Sequence, residues 1–431
     1  PYRRQRQMCI RDSCIFVYIV KKEEDIMKKF NKFLSVAVAS AMVMAMAGCG
    51  NTDNGSAATG TNAATESAAA SDSAASGSVF KIGGIGPTTG GAAVYGLAVQ
   101  HGAEIAVEEI NAAGGINGYQ VEFKFQDDEA DAEKSVNAYN ALKDWGAQII
   151  DGSTTSGACI AVTDKTKEDN MFQITPSGSA VECVQYDNNF RVCFSNPNQG
   201  LASAQYIGEN GLAEKIAVIY DSSDVYSSGI YEKFVKEAEN QPFEVVAAEA
   251  FTADNKTDFS VQLQKAKDAG ADMVFLPIYY QESALILTQA AAMGYAPKWF
   301  SCDGMDGILG GVDNFDVSLT EGVMLLTPFA ADATDDLTQS FVTKYKEKYG
   351  ETPNQFAADS YDAIYVIKAA IEKSGVTPDM SVSDICDGMK AAMTEITVDG
   401  LTGNGMTWTA DGEANKAPKA VVIENGAYKA M

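Results

Sequence analysis

From residue 79 onward the chain alternates short apolar runs of strand character with stretches of helical period, and it does so twice. The first round is a β-rich run over 79–85, a Gly/Thr loop, an amphipathic helix over about 94–111, an Asn117-Gly118 turn and an alternating strand over 119–125. A helix over 132–145 then feeds Gly146-Ala147-Gln148-Ile149-Ile150, a polar loop over 151–156 and a helix running toward Asn170. Further on, a helix over 259–269 feeds Gly270-Ala271-Asp272-Met273-Val274-Phe275-Leu276, a polar loop over 279–282 and a helix through Ala292. Apolar runs this short, each followed by a helix, predict a parallel sheet covered on both faces. Two copies of helix, Gly-Ala-polar, strand, polar loop and helix predict two similar α/β lobes.

The first 78 residues follow a different logic. Lys28, Lys29 and Lys32 precede an apolar run over 33–47 and the sequence Met46-Ala47-Gly48-Cys49. A basic start, a short apolar run and small residues before a cysteine resemble a bacterial lipoprotein signal over 27–48, cut before Cys49 and lipidated on its sulfur. The run is shorter than the roughly 20 residues a membrane-spanning helix needs. Residues 1–26 read as a non-native leader. Residues 49–78 comprise the lipidated cysteine and a Gly/Ala/Ser-rich segment too poor in apolar surface to offset ordering entropy, which predicts a disordered tether. Such an anchor would hold the globular part at the outer face of a bacterial cell membrane.

Charge excludes one class of partner. The formal net charge is −26, and nine basic residues against four acidic ones lie before Cys49, leaving 23 basic and 54 acidic residues from there on. Arg191 is the only arginine in that part. A surface this acidic repels phosphate backbones, so no nucleic-acid partner is expected. His101 is the only histidine, which argues against histidine-based metal sites and triad catalysis. It lies at helical spacing among Val99, Ile105 and Val107 and reads as a helix-face residue. Gly84-Ile85-Gly86 begins like a dinucleotide fingerprint, but Thr89 takes the third glycine position. Neither a G-x-x-x-x-G-K-[ST] loop nor a G-x-S-x-G elbow occurs. Asp127, Asp128, Glu129 and Asp131 lack the glycine and terminal glutamate of an EF-hand and read as a solvated acidic run starting a helix. No metal and no cofactor are therefore expected.

Cys9 and Cys14 fall in the leader and Cys49 at the anchor, leaving Cys159, Cys183, Cys193, Cys302 and Cys386 without a C-x-x-C pair. Cys183 and Cys193 flank the polar turn 186–189. A bridged hairpin and two buried free thiols are both open readings.

In open parallel sheets ligands sit beyond the carboxyl ends of the strands. Here the corresponding loops are 86–95, 151–156, 175–179, 221–226, 279–282 and 301–306. Two of them are rich in small hydroxyls, Ser153, Thr154, Thr155 and Ser156 in one, Thr175, Ser177 and Ser179 in the other. Hydroxyls leading into helix N-termini suit an anion such as a carboxylate, although plain N-capping uses the same residues. The other loops supply the rings of Tyr95, Tyr226 and Tyr279 and the carboxylates of Asp303 and Asp306. Anion donors, rings and a carboxylate together suit a zwitterion with an apolar side chain.

The runs GGIGPTTGGAAVYG, AAGGINGYQVEF, ITPSGS and TDFSVQLQKAKDAGADMVF, in that order, resemble the leucine/isoleucine/valine-binding family of extracytoplasmic solute-binding proteins, over residues 79–431. The resemblance implies the type I periplasmic-binding-protein fold, α/β, with two doubly wound parallel-sheet lobes joined by three hinge crossovers near Asn196, Thr327 and Asn415. Lobe 1 would be 79–196 plus 327–414, and lobe 2 would be 197–326 plus 415–431. It implies a monomeric receptor, without enzymatic activity, that passes an amino acid, branched-chain first, to the permease subunits of an ABC importer. Amides, urea or aromatic acids, and a sensory domain without transport, are the alternatives. Carried over by position, the Ser156 hydroxyl would grip the α-carboxylate together with Ser177 and Ser179. Tyr95 would cover the ligand from lobe 1, Tyr226 and Tyr279 would face its side chain from lobe 2, and Asp303 would meet the α-ammonium. The family has glutamate where this chain has Asp303, a shortening for which Asp306 is expected to compensate. Ala130 and Thr155 stand where the family has a disulfide.

Overall fold

In the computed structural model, which describes residues 77–431, each Gly-Ala-polar step starts a strand at the equivalent place of a separate sheet. The leader 1–26, the signal over 27–48, the lipidation site Cys49 and the tether up to residue 76 lie outside the described residues. The chain runs β1 (Phe80–Gly86), α1 (Ala93–Ala112), β2 (Val121–Asp127), α2 (Ala132–Trp145), β3 (Ile149–Gly152), α3 (Ser156–Glu168), β4 (Phe172–Thr175), a 3-10 turn (Val181–Val184) and β5 (Asn189–Arg191). These five strands form one sheet in the order β2-β1-β3-β4-β5, all parallel.

The second half repeats the plan with α4 (Asn196–Glu209), β6 (Lys215–Asp221), α5 (Val225–Ala238), β7 (Glu244–Phe251), α6 (Ser260–Asp268), β8 (Met273–Leu276), α7 (Tyr280–Ala292), β9 (Lys298–Ser301) and β10 (Met324–Thr327). The order β7-β6-β8-β9-β10 is the same doubly wound order as in the first sheet. The chain then returns through α8 (Asp336–Tyr349), α9 (Gln355–Ser374) and α10 (Val382–Met393), with α9 packed along α1. A closing hairpin, β11 (Lys419–Glu424) and β12 (Ala427–Ala430), adds antiparallel to β10.

The repeated tripeptide has a physical role. Gly146 and Gly270 adopt left-handed backbone, φ 93° and 72°, and end the preceding helices. The polar residue two places on then clamps the first strand of its own sheet. Gln148 donates from its N–H to the Lys81 carbonyl at 2.9 Å, and its Oε1 accepts from the Lys81 N–H at 3.1 Å. Asp272 does the same to Lys215, with 2.9 Å from its N–H and 2.7 Å to its Oδ1. The strands that follow, β3 and β8, are buried along their whole length, as two-sided coverage requires.

Three expectations change. β2 begins at Val121 because Ile116 and Tyr119 pair with each other to close the Asn117-Gly118 turn. The acidic run is not uniformly solvated: Asp131 caps α2 through the Lys134 N–H, but Asp128 is buried, accepts from the Ala130 N–H at 2.9 Å and is pushed up to about 6 by burial. Cys183 and Cys193 flank no hairpin, since β5 joins β4 in parallel. All five cysteines among the described residues are buried, and each is in the reduced state in this structure. His101 does lie on a helix face, stacked on Tyr349 at 3.6 Å between ring centroids. Among the described residues no helix is long and apolar enough to cross a membrane, and no three or more His, Cys, Asp or Glu side chains are grouped to hold a metal ion.

Candidate functional site

The carboxyl ends of β1, β3 and β4 from one sheet and of β6, β8 and β9 from the other lead into a single small cavity. Its lining includes Tyr95, Ser156, Ser177, Tyr226, Tyr279 and Asp303, six of the seven ligand-binding positions expected from sequence, together with Thr154, Thr155, Gly304 and Phe356. Ser179 stands one step behind the wall, buried, with its N–H donated to Ser156.

The hydroxyl end is built by stitching the loop after β3 to the loop after β4. Thr175 Oγ1 donates to the Ser153 carbonyl at 2.7 Å, and Ser177 Oγ donates to the Thr154 carbonyl at 2.7 Å. Ser156 Oγ accepts from the N–H groups of Ser179 and Ala180 at 3.2 and 3.1 Å. A serine oxygen has two lone pairs and one proton, so Ser156, with both lone pairs engaged, is left as a donor. Ser177, its proton engaged, is left as an acceptor. No side chain caps α3, so its orphan N–H groups and partial positive charge remain available at the same end.

Arg191 supports this end from behind. It is fully buried and donates to the carbonyls of Gly178 and Ala180 at 3.2 and 2.8 Å, with Glu413 Oε2 3.4 Å from its Nε. The guanidinium therefore fixes the turn that presents the Ser179 and Ala180 N–H groups. The only arginine after Cys49 was a visible signal, but its target was not.

The carboxyl in the lining is Asp303. Tyr226 donates to Oδ1 at 2.6 Å and Gln199 Nε2 donates to Oδ2 at 2.9 Å. Burial pushes Asp303 up to about 7, opposed by these hydrogen bonds. Asp306 does not share this role, contrary to the sequence expectation. Its Oδ2 accepts from the Gln355 N–H at 2.9 Å at the start of α9, while Gln355 Nε2 donates to the Asp303 carbonyl at 2.9 Å. A helix N-terminus attracts a carboxylate more strongly than an open cavity does.

Rings complete the lining. Tyr226 and Tyr279 stack at 5.0 Å between centroids with 17° between planes, and Tyr95 meets Tyr279 edge-on at 5.5 Å. Phe356 packs on Tyr95 at 4.4 Å. The Tyr95 hydroxyl is already committed, donating to the Gly304 carbonyl and accepting from the Tyr280 N–H at 3.2 Å. It thereby joins a helix of the first sheet to loops of the second. Sequence reasoning missed Phe356, Gln199 and Gln355. None carried a local motif, and Phe356 reaches the cavity only because α9 returns to lie beside α1.

Comparison with known proteins gives a consistent result. Residues 79–427 match the family model described as periplasmic binding protein. Leu/Ile/Val-binding protein homolog 3 of Brucella melitensis is 30% identical over 300 residues, covering 69% of this chain and 80% of that protein. The leucine-, isoleucine-, valine-, threonine-, and alanine-binding protein of Pseudomonas aeruginosa is 30% identical over 302 residues, covering 68% and 78%. Among solved structures, the branched-chain amino acid transporter substrate binding protein LivJ from Streptococcus pneumoniae, in complex with isoleucine, superposes with a TM-score of 0.74 at 28% identity, covering 82% of this chain and 98% of that one. A solute binding protein from R. palustris in complex with benzoate gives 0.72 at 20% identity, covering 82% and 95%, a likeness of fold alone.

Proposed function

Because the chain belongs to the periplasmic binding protein family, we propose that it is the extracytoplasmic solute-binding component of an ABC importer and that its cavity captures a free amino acid, with branched-chain side chains preferred. One observation carries the reading of the ligand. A hydroxyl left with only its proton to give, Ser156, and a buried carboxyl, Asp303, line one ring-walled cavity. The α-carboxylate of the ligand pairs with Ser156 and the N-terminus of α3. The α-ammonium pairs with Asp303 and the free lone pairs of Ser177. The side chain rests between Tyr95, Tyr226, Tyr279 and Phe356.

The energetics suffice without any bond being made or broken. Micromolar capture requires about 8 kcal/mol, and hydrogen bonds to charged groups contribute roughly 1.5–3 kcal/mol each. Burying an aliphatic side chain adds about 2 kcal/mol.

In this reading the two lobes, 79–196 plus 327–414 and 197–326 plus 415–431, close on the ligand about crossovers near Asn196, Thr327 and Asn415. Two residues, Asn196 and Lys416, support hinges at the first and third of these. Asn196 donates from its backbone to the Ser179 carbonyl at 2.8 Å and from its side chain to the Val225 carbonyl at 3.0 Å, one contact on each side. Lys416 forms a buried ion pair with Asp359 at 2.6 Å and donates to the Val192 carbonyl at 3.1 Å. The receptor would act as a lipid-anchored monomer, tethered through Cys49 at the outer face of the membrane and presenting its loaded form to permease subunits.

An aromatic acid is the competing ligand class. It would use the Ser156 end equally well but would leave Asp303 facing no cation, which disfavours the ionised carboxyl. A calorimetric screen of the twenty amino acids, benzoate, urea and short amides decides between them. Leucine, isoleucine or valine should bind, and Ser156→Ala should weaken that binding more than tenfold. Binding of benzoate or an amide with no response to any amino acid would overturn the reading.

A further inference from the structure

We infer that Cys159 and Cys183 form an intramolecular disulfide that ties the helix carrying Ser156 to the turn carrying Ser179. Cys159 sits in the first turn of α3, three residues after Ser156, and Cys183 sits in the 3-10 turn, four residues after Ser179. Both are fully buried and, with Ala180, make a separate small cluster apart from the main cores. That cluster holds no other sulfur. Cys183 Sγ donates to the Ser156 carbonyl at 3.7 Å, and Gln173 Nε2 donates to Cys159 Sγ at 3.6 Å.

The surroundings favour this pair over the one the sequence suggested. Gly178 brings backbone against Cys159, where an added Cβ would lie 3.1 Å from the sulfur, so the turn leading to Cys183 is pressed onto its partner. Arg191, whose guanidinium holds the Gly178 and Ala180 carbonyls, adds a positive charge near both sulfurs, while burial holds the Cys183 thiol well above its ordinary range until the turn opens. Cys193 lies outside the cluster that Cys159 and Cys183 share.

The oxidation balances as ordinary thiol–disulfide exchange. The Cys159 thiolate attacks one sulfur of a low-molecular-weight disulfide RSSR and expels RS⁻. The Cys183 thiolate then attacks the Cys159 sulfur of the mixed disulfide and expels the second RS⁻. The two thiol protons leave with two RSH, and the two electrons lost by the protein reduce RSSR. With both sulfurs buried, the exchange takes place before α3 has packed or during local opening. An oxidising setting in the cell rests on the extracytoplasmic reading above, whereas the choice of partner rests on the fold. The cross-link would hold Ser156 in register with the N–H groups that occupy its lone pairs.

The test uses the full chain incubated with oxidised glutathione, alkylated under denaturing conditions and digested without reduction. Mass spectrometry should find the Cys159 peptide joined to the Cys183 peptide. That species should vanish in Cys159→Ser and Cys183→Ser and persist in Cys193→Ser. The oxidised protein should melt at a Tm roughly 5 °C above that of the dithiothreitol-treated protein. Separate alkylation of both cysteines after oxidant treatment, or a Cys183 to Cys193 link, would overturn the assignment. The wild-type peptide map is decisive even if a serine variant fails to fold.

Discussion

The Tyr226 hydroxyl donates to Asp303 Oδ1 at 2.6 Å while its oxygen accepts from the Gly304 N–H at 2.8 Å, so one phenol fixes both the carboxyl and the turn that carries it. Asp303 is 5% exposed, and burial pushes it up to about 7. A group so poised carries its proton in part of the population near neutral pH. An arriving ammonium requires the ionised form and expels that proton. Affinity for a zwitterion should therefore be flat above about pH 7 and fall by up to tenfold per unit below it. Calorimetry at pH 6 in two buffers of different ionisation heat should report proton release on binding; identical heats would contradict the assigned role.

The same group, with Asp151, makes a second pH effect in the ligand-free protein. Burial pushes Asp151 up to about 7 as well, its Oδ2 accepting from Ser360 at 3.0 Å. Between the ordinary carboxylate range near 4 and about pH 7 the folded state holds protons that the unfolded chain has lost. Stability contributed by these two groups is full below that window and declines as pH rises through it. The Tm of the ligand-free protein should be higher at pH 5 than at pH 7.5, and Asp151→Asn should flatten the slope.

Ser156→Ala removes a donor to the ligand and an acceptor for two buried N–H groups. The first loss should weaken binding more than tenfold. The second should cost about 1–3 kcal/mol of stability through unsatisfied donors. Urea unfolding and calorimetry separate the two effects, and unchanged affinity would remove Ser156 from the carboxylate end.

Tyr95→Phe keeps the ring that packs on Phe356 but deletes the hydroxyl that spans from α1 to the Gly304 carbonyl and the Tyr280 N–H. The closed form should lose population relative to the open one. Small-angle scattering with saturating ligand should give a larger mean radius than wild type, with weaker binding and little change in selectivity. Tyr279→Ala, by contrast, should alter selectivity among side chains.

Arg191→Gln leaves the Gly178 and Ala180 carbonyls without their donor and Glu413 without its partner. Glu413 is one-third exposed and can be hydrated, so the cost comes from the buried carbonyls left unpaired, roughly 1–3 kcal/mol. Denaturant unfolding should show that loss. A change below about 1 kcal/mol would mean that the turn holds its shape without the guanidinium.

Much of this was legible in the sequence because it depends on local pattern. Short continuous apolar runs marked β3 and β8, period-3.6 spacing marked α2 and α6, and parallel strand order made their carboxyl-end loops the natural place for a site. The loops holding Tyr95, Ser156, Ser177, Tyr226, Tyr279 and Asp303 could be named because each directly follows a strand or opens a helix. Gln148 and Asp272 stood out only as polar residues in a repeated tripeptide; that they clamp Lys81 and Lys215 required the sheets.

Sequence alone determined the alternation of strand and helix, the doubling of the α/β unit and the chemical kinds of side chain at the strand ends, since backbone periodicity and turn chemistry act over a few residues. Only the tertiary structure decided that Asp306 caps α9 while Asp303 lines the cavity, that Phe356 closes its wall, and that Cys183 meets Cys159. It also decided that Ser156 retains a proton to give while Ser177 retains lone pairs. A hydroxyl, a carboxyl or a thiol has several partners open to it in the unfolded chain. Packing of segments far apart in sequence chooses one, and with it what each group has left to offer.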